Sequence, residues 1–394
     1  MSPVGRELEG TELRVAVAGF GWMGQVHTRA WARLLHHYPD SPLRPRFVAV
    51  ADPEPSRRDE AVSVYGFEGA HADWRELLDR DDVDVVSVCG PNFVHREIGT
   101  AVAESGRHLW IEKPAGRGAA DTAAIAAAVR AADVRSSVGF NYRNAPAVET
   151  ARELVVAGRL GEIQTAEVSM LADYSAHPDG ALSWRFDPEY AGTGVLGDLA
   201  SHGFDLLRHV GGDAVGPVTE LVADRATFIT DRPEATGATS HFARGEGPRR
   251  PVGNEDQASA LLRFASGARG HLTASRVAVG EQCSYRIEVR GSQGALAWDF
   301  RRMGELRTCL DQDFQDAAWQ TRLVSPGDGE LDRFQPGSGI AMGYDDLKVV
   351  EARRLVESIS TGVQVGAGIE DAAVAAELVD AVVRSAEEKR WVTP

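Results

Sequence analysis

Asp198 and His202 stand four residues apart in Asp198-Leu199-Ala200-Ser201-His202. On a helix that spacing puts a carboxylate and an imidazole on one face. A carboxylate so placed orients the ring, fixes its tautomer and raises its basicity, which suits it to take a proton near neutral pH. The same two residues also suit plainer roles: a first-turn acid favoured by the helix dipole, a core histidine, or a pair of metal ligands. No HExxH and no cysteine pair is present to complete a metal shell, so no metal is expected. Lys113 lies in Glu112-Lys113-Pro114, directly after a short apolar run. An amine at a strand end can hydrogen-bond a reacting hydroxyl and steady negative charge growing on its oxygen. It equally suits a plain surface position.

A third constellation is Gly19-Phe20-Gly21-Trp22-Met23-Gly24, which follows a β-branched run at 13–18 and opens a helical stretch. The first glycine permits a tight turn, the second lets backbone approach a pyrophosphate, and the third lets helix and strand pack closely. The helix N-terminus adds free N–H groups and a positive dipole. Asp52 ends the next strand, at 46–51, where its carboxylate is placed to accept bonds from the adenosine ribose. Its charge would repel a 2′-phosphate, which favours NAD and disfavours NADP. Arg57 and Arg58, a turn beyond, either soften that preference or are solvated residues on a helix surface.

Positioning these groups takes an alternating chain. Apolar strands at 13–18, 46–51, 83–89, 108–111 and 135–140 alternate with helical stretches at 27–36, 98–105 and 122–132. This is the pattern of a parallel sheet covered on both faces. Ligands sit at the carboxyl ends of such strands, where Pro91-Asn92-Phe93-Val94-His95 and Glu112-Lys113-Pro114 fall. After a helix at 147–157 the period changes to two, at 164–171, 218–229, 258–264, 270–277, 285–289 and 295–300. These runs predict a large, mostly antiparallel, half-exposed sheet. Residues 232–256 read as a long loop rich in Gly, Pro, Arg and Glu, and helical periodicity returns at 344–360 and 369–388. The expected fold class is α/β, with a Rossmann domain at 1–146 and an α+β domain at 147–394. The C-terminal helices are free to pack back on the first domain.

Composition narrows the class further. The 394 residues are 43% hydrophobic and 25% charged, ordinary for a globular chain. A net charge of −16 argues against nucleic acid or an anionic membrane as partner. The three cysteines, Cys89, Cys283 and Cys309, are far apart and form no CxxC, which fits a reducing compartment. The N-terminus lacks an apolar signal core, and no run approaches the ~18 apolar residues that cross a bilayer. A cytoplasmic protein is expected.

Together these residues resemble the Gfo/Idh/MocA oxidoreductases. The matching motifs, in order, are the Gly19–Gly24 fingerprint, Asp52, Pro91-Asn92-x-x-His95, Glu112-Lys113-Pro114, Gly139-Phe140-Asn141-Tyr142-Arg143 and Asp198-x-x-x-His202. The resemblance implies NAD-dependent oxidation of a secondary hydroxyl on a sugar or cyclitol. It implies His202 as general base, Lys113 as the group bonded to that hydroxyl and to the nicotinamide ribose, and Asp198 as their orienter. Gly19, Gly21, Trp22, Met23, Gly24, Asp52, Pro91, Asn92, His95, Glu112 and Lys113 would then hold the cofactor. A finer similarity is to the levoglucosan dehydrogenase subgroup, which oxidises the C3 hydroxyl of an anhydro-sugar. It rests on Phe140–Arg143, Leu182-Ser183-Trp184-Arg185-Phe186, Gly245-Glu246-Gly247-Pro248 and Gly343-Tyr344. Asn141, Tyr142, Arg143, Trp184 and Arg185 are the expected sugar ligands: aromatic faces for ring C–H groups and arginine forks for hydroxyls. The last four equally suit structural roles. Three rival functions are a ketosugar reductase, an NAD-dependent glycosidase and a non-catalytic nucleotide-binding regulator. An open sheet with one exposed apolar face predicts a homodimer or homotetramer.

Overall fold

A computed structural model describes residues 11–235, 243–311 and 313–394. Its first six strands are β1 (Glu12–Ala18), β2 (Arg44–Ala51), β3 (Ala70–His71), β4 (Val85–Val88), β5 (His108–Ile111) and β6 (Ser136–Val138). They form one sheet in the order β3-β2-β1-β4-β5-β6, with every pairing parallel. The connecting helices are α1 (Trp22–His37), α2 (Pro55–Ser63), α3 (Arg75–Leu78), α4 (Asn92–Glu104) and α5 (Ala119–Ala132). β4 and β5 are buried at every position, as strands sandwiched between helices must be. This is the doubly wound half that strand–helix alternation predicts.

The second half starts with α6 (Pro146–Val156) and β7 (Ile163–Leu171), then the four-residue α7 (Pro188–Ala191) and α8 (Ser201–Val215). Next come β8 (Val218–Ala226), β9 (Asp231–Pro233), β10 (Arg249–Pro251), β11 (Gln257–Phe264) and β12 (Arg269–Ser275). β13 (Ser284–Gly291), β14 (Ala295–Asp299), β15 (Glu305–Cys309) and β16 (Gln320–Leu323) complete the strands. Eight of them make a sheet in the order β16-β15-β14-β13-β7-β12-β11-β8. Only the β12–β7 pair is parallel. Helix α8 packs over alternate apolar residues such as Ala166, Val168 and Met170 of β7, and α6 packs against α8 and against β14 and β15. The intervening residues leave the other face half-exposed.

One departure from the sequence reading matters. Residues 232–256 are more than a loop: β9 and β10 pair antiparallel, and Asn254, Glu255 and Asp256 are buried. Residues 236–242 of that stretch lie outside the described residues. The last helices are α9 (Tyr344–Thr361) and α10 (Ile369–Glu388), which the sequence reading left free to pack back on the first domain. Contacts group 1–141 with 343–373 as one unit, and 142–342 with 374–394 as the other, so α9 belongs with the parallel sheet. Arg29 of α1 donates to Asp345 of α9 at 2.6 Å and Arg33 to Asp346 at 2.5 Å. No helix among the described residues is long and apolar enough to cross a membrane.

Candidate active site

In the first unit, β1 runs into Gly19 at φ +92°, a conformation that glycine adopts without strain. A Cβ on Gly24 would lie 2.2 Å from the Gly19 carbonyl oxygen, so the loop closes only with glycine there. Gly21 is different. It is the N-cap of α1, has no side-chain cap and is followed by no acid in the first turn. A Cβ there would meet only the Arg57 guanidinium, at 3.9 Å. Among the described residues no side chain caps the first N–H groups of α1, and the residues present fit a pyrophosphate. Trp22, 61% exposed, stacks on Tyr344 at 5.5 Å, and the Tyr344 hydroxyl lies 3.9 Å from the Met23 sulfur.

Asp52 stands at the end of β2, but its carboxylate is only 2% exposed. Its oxygens accept the Phe20 N–H at 2.7 Å and the Glu54 N–H at 2.9 Å. Pro91 is the N-cap of α4 and Asn92 its first residue. His95 lies below the surface, its ring nitrogens 2.7 Å from the Gly90 carbonyl and 2.8 Å from that of Pro114. It ties together the loops after β4 and β5, the second containing a cis Lys113–Pro114 bond. His95 thus shapes the strand ends from beneath.

Glu112 is the centre of a buried network that sequence reasoning missed. One carboxylate oxygen accepts Lys348 Nζ at 2.5 Å and faces His27 Nε2 at 2.9 Å. Lys348 Nζ also donates to Glu351 at 3.1 Å, and Trp110 donates its indole N–H to the same Glu351 oxygen. Burial works to raise the Glu112 pKa, but the Lys348 charge and the His27 bond outweigh it and hold the carboxyl well below its usual range. Burial pushes Glu351 up to about 7 and His27 down to about 4. His27, Glu112 and Glu351 lie close enough together to ligate a cation. The Lys348 ammonium is already there. A Cβ on Gly139 would sit 2.5 Å from Glu112, so that glycine makes room for the carboxylate. The available signal was a Lys–Glu pair at 348 and 351 amid the apolar residues of α9.

The second unit holds Asp198 and His202. Asp198 lies in a π-helical segment, Leu196–Ala200, and His202 in the first turn of α8, so the expected regular helix face is interrupted between them. Such wide turns recur at functional sites. Glu255, buried, accepts the Gly194 N–H at 2.7 Å and the Leu196 N–H at 3.0 Å, which fixes where the wide turn begins. The Tyr174 hydroxyl donates to Asp198 Oδ2. Burial and then the Asp198 charge push the Tyr174 hydroxyl well up, so it remains a donor. The His202 ring packs 4.5 Å from Tyr142, which in turn meets Phe300 at 4.9 Å and Tyr285 at 5.3 Å.

The expected sugar ligands separate. Tyr142 lines this aromatic cluster. Arg143 corrects the expectation of an open arginine fork: it is buried and paired with Asp205 of α8, Nε to Oδ2 at 3.0 Å. Its guanidinium is the counter-charge of a buried carboxylate. Asn141, assigned to the first unit, is fully buried, and neither amide atom has a hydrogen-bond partner among the described residues. Trp184 and Arg185 are half-buried, with the guanidinium 4.4 Å over the indole. Their neighbour Phe186 lies between Arg232 at 4.3 Å and Arg276 at 4.7 Å.

Residues 13–140 match the model of an oxidoreductase family with an NAD-binding Rossmann fold, and residues 148–297 match the GFO/IDH/MocA C-terminal domain. The levoglucosan dehydrogenase of Pseudarthrobacter phenanthrenivorans is 33% identical over 384 residues, 96% of this chain and 97% of that protein. The inositol 2-dehydrogenase of Rhizobium meliloti is 27% identical over 381 residues, 97% of this chain and 99% of that one. A solved levoglucosan dehydrogenase in complex with NADH and levoglucosan aligns at a TM-score of 0.90 and 32% identity, over 97% of this chain and 99% of that one.

Proposed function

Because the chain belongs to the Gfo/Idh/MocA oxidoreductases, with an NAD-binding Rossmann domain, we propose that it oxidises a secondary hydroxyl of an anhydro-sugar, sugar or cyclitol. A levoglucosan-like C3 hydroxyl is the first candidate, supported by the relative at 33% identity over nearly the whole chain. His202 is the general base, Lys113 bonds the reacting hydroxyl and steadies the negative charge that grows on its oxygen, and Asp198 orients both. When bound, NAD supplies the acceptor for the hydride. The observation that carries the reading is Asp198 held by Tyr174 on a wide helical turn just ahead of His202. A secondary alcohol is a very weak acid, and an imidazole with an ordinary pKa near ~6.5 takes its proton near neutrality. Asn141, Tyr142, Trp184 and Arg185 are proposed to meet the sugar.

The test is NADH formation with NAD across levoglucosan, glucose and the inositols. Lys113→Ala and His202→Ala should each lower turnover by about two orders of magnitude or more while NADH still binds. Wild-type turnover in both variants overturns the mechanism, and no NADH with any polyol overturns the activity. We also propose that the chain works as a homodimer or homotetramer.

A further inference from the structure

The adenosine end of the cofactor site joins an acid and a base of very different exposure. Asp52 is covered, and both its oxygens accept backbone N–H groups. Arg57, on α2, is 46% exposed. Its Nη1 lies 3.5 Å from Asp52 Oδ2 and 3.9 Å from where a Cβ on Gly21 would be. The guanidinium therefore stands over the acid and at the opening of the glycine loop. Arg58 faces inward instead, donating to the carbonyls of Asp52 at 2.7 Å and Pro53 at 3.0 Å. That leaves Arg57 as the solvent-facing cation of the pair.

We infer that Arg57 is a specificity-determining residue and that this chain accepts the 2′-phosphate of NADP(H) as well as the plain ribose of NAD(H). An acid at the end of the second strand turns NADP away when its charge faces the ribose. Here that charge is buried and overlaid by a guanidinium, whose planar fork suits a phosphate. Two nearby anions temper the preference. Glu54 caps α2 by accepting the Ser56 N–H at 3.4 Å, and Glu60 accepts the Gln25 amide at 3.1 Å. They make the site permissive of both cofactors, not exclusive to NADP. The inference goes beyond the expectation that Asp52 disfavours NADP and that Arg57 could soften the preference. It rests on the cofactor reading alone and is independent of which sugar is oxidised.

Fluorescence titration of the full chain with NADPH and with NADH tests it, without any substrate. The wild type should bind NADPH within about tenfold of NADH, and Arg57→Gln should raise the NADPH-to-NADH ratio of dissociation constants by about fivefold or more. Arg57 is an exposed helix residue, so the variant keeps the fold. A wild-type gap wider than that, or a smaller change in the ratio, overturns the proposal. Binding of NADH alone overturns the proposal and leaves the nucleotide site standing, whereas binding of neither cofactor refutes the nucleotide site with it.

Discussion

Tyr174 is the residue on which the proposed chemistry turns most sharply. Its hydroxyl is a donor with no easier proton to lose, and Asp198 Oδ2 is its acceptor. Without that bond the carboxylate loses one of the contacts that aims it. Tyr174→Phe removes one oxygen and leaves the ring. A bond to a charged acceptor is worth about 1.5–3 kcal/mol, so kcat should fall by about tenfold or more. The substrate KM should move little, because a positioning group acts on the reacting geometry. Equal losses in kcat and in substrate binding would mark Tyr174 as a packing residue only, and steady-state kinetics on the best substrate of the panel decides. No motif announces Tyr174, because its partner is brought to it by the fold, across 24 residues of chain. Arg143 errs in the other direction: its type suggested a sugar ligand, and the fold gives it Asp205.

At the scale of elements, periodicity located the strands and long helices well, since burial on one or both faces dictates which residues alternate. β5 and α10 fall where the pattern puts them. The wide turn carrying Asp198 was not legible, because it depends on Glu255 gripping two backbone N–H groups from a distant segment. Nor was the placement of α9, which depends on a lysine finding one buried carboxylate just after β5 and another on α9 itself. The same burial makes the first unit sensitive to acid. His27 of α1 and His108 of β5 are each pushed down to about 4, chiefly by burial, from an ordinary 6.5. Unfolded chains bind those protons between 6.5 and 4 while the folded chain does not, so stability falls as pH falls through that window. Glu351 runs the opposite way: its raised pKa of about 7 favours folding at low pH and that contribution is lost as pH rises from 4.5. His108 accepts the Arg135 N–H at Nδ1, 3.0 Å away. His108→Gln keeps an acceptor and cannot titrate. It should therefore remove up to roughly 3 kcal/mol of the stability change between pH 7 and 4, read by urea unfolding. An unchanged pH slope would show that His108 ionises freely in the folded chain.

The whole molecule poses one further problem, which is what the second sheet does with its uncovered side. The expectation was an apolar face. The alternating residues instead include Glu167, Arg286, Glu288 and Arg290, and Arg290 lies 3.6 Å from Glu167 while Arg286 donates to Asp299 at 2.8 Å. Rows of opposite charges on one surface are self-complementary under a two-fold axis, since each row can face its own opposite on a second copy. Two chains of net charge −16 repel each other, so the proposed assembly through this face needs local attraction over a short range. Attraction between partly exposed charges weakens as the screening length shrinks from ~10 Å at 0.1 M salt to ~3 Å at 1 M. Light scattering at 0.1 M salt should therefore give two or four times the chain mass, and Arg290→Glu should lower it by placing like charges opposite one another. A monomer in low salt would refute the assembly. An oligomer indifferent to both salt and Arg290→Glu would place the interface elsewhere on the surface.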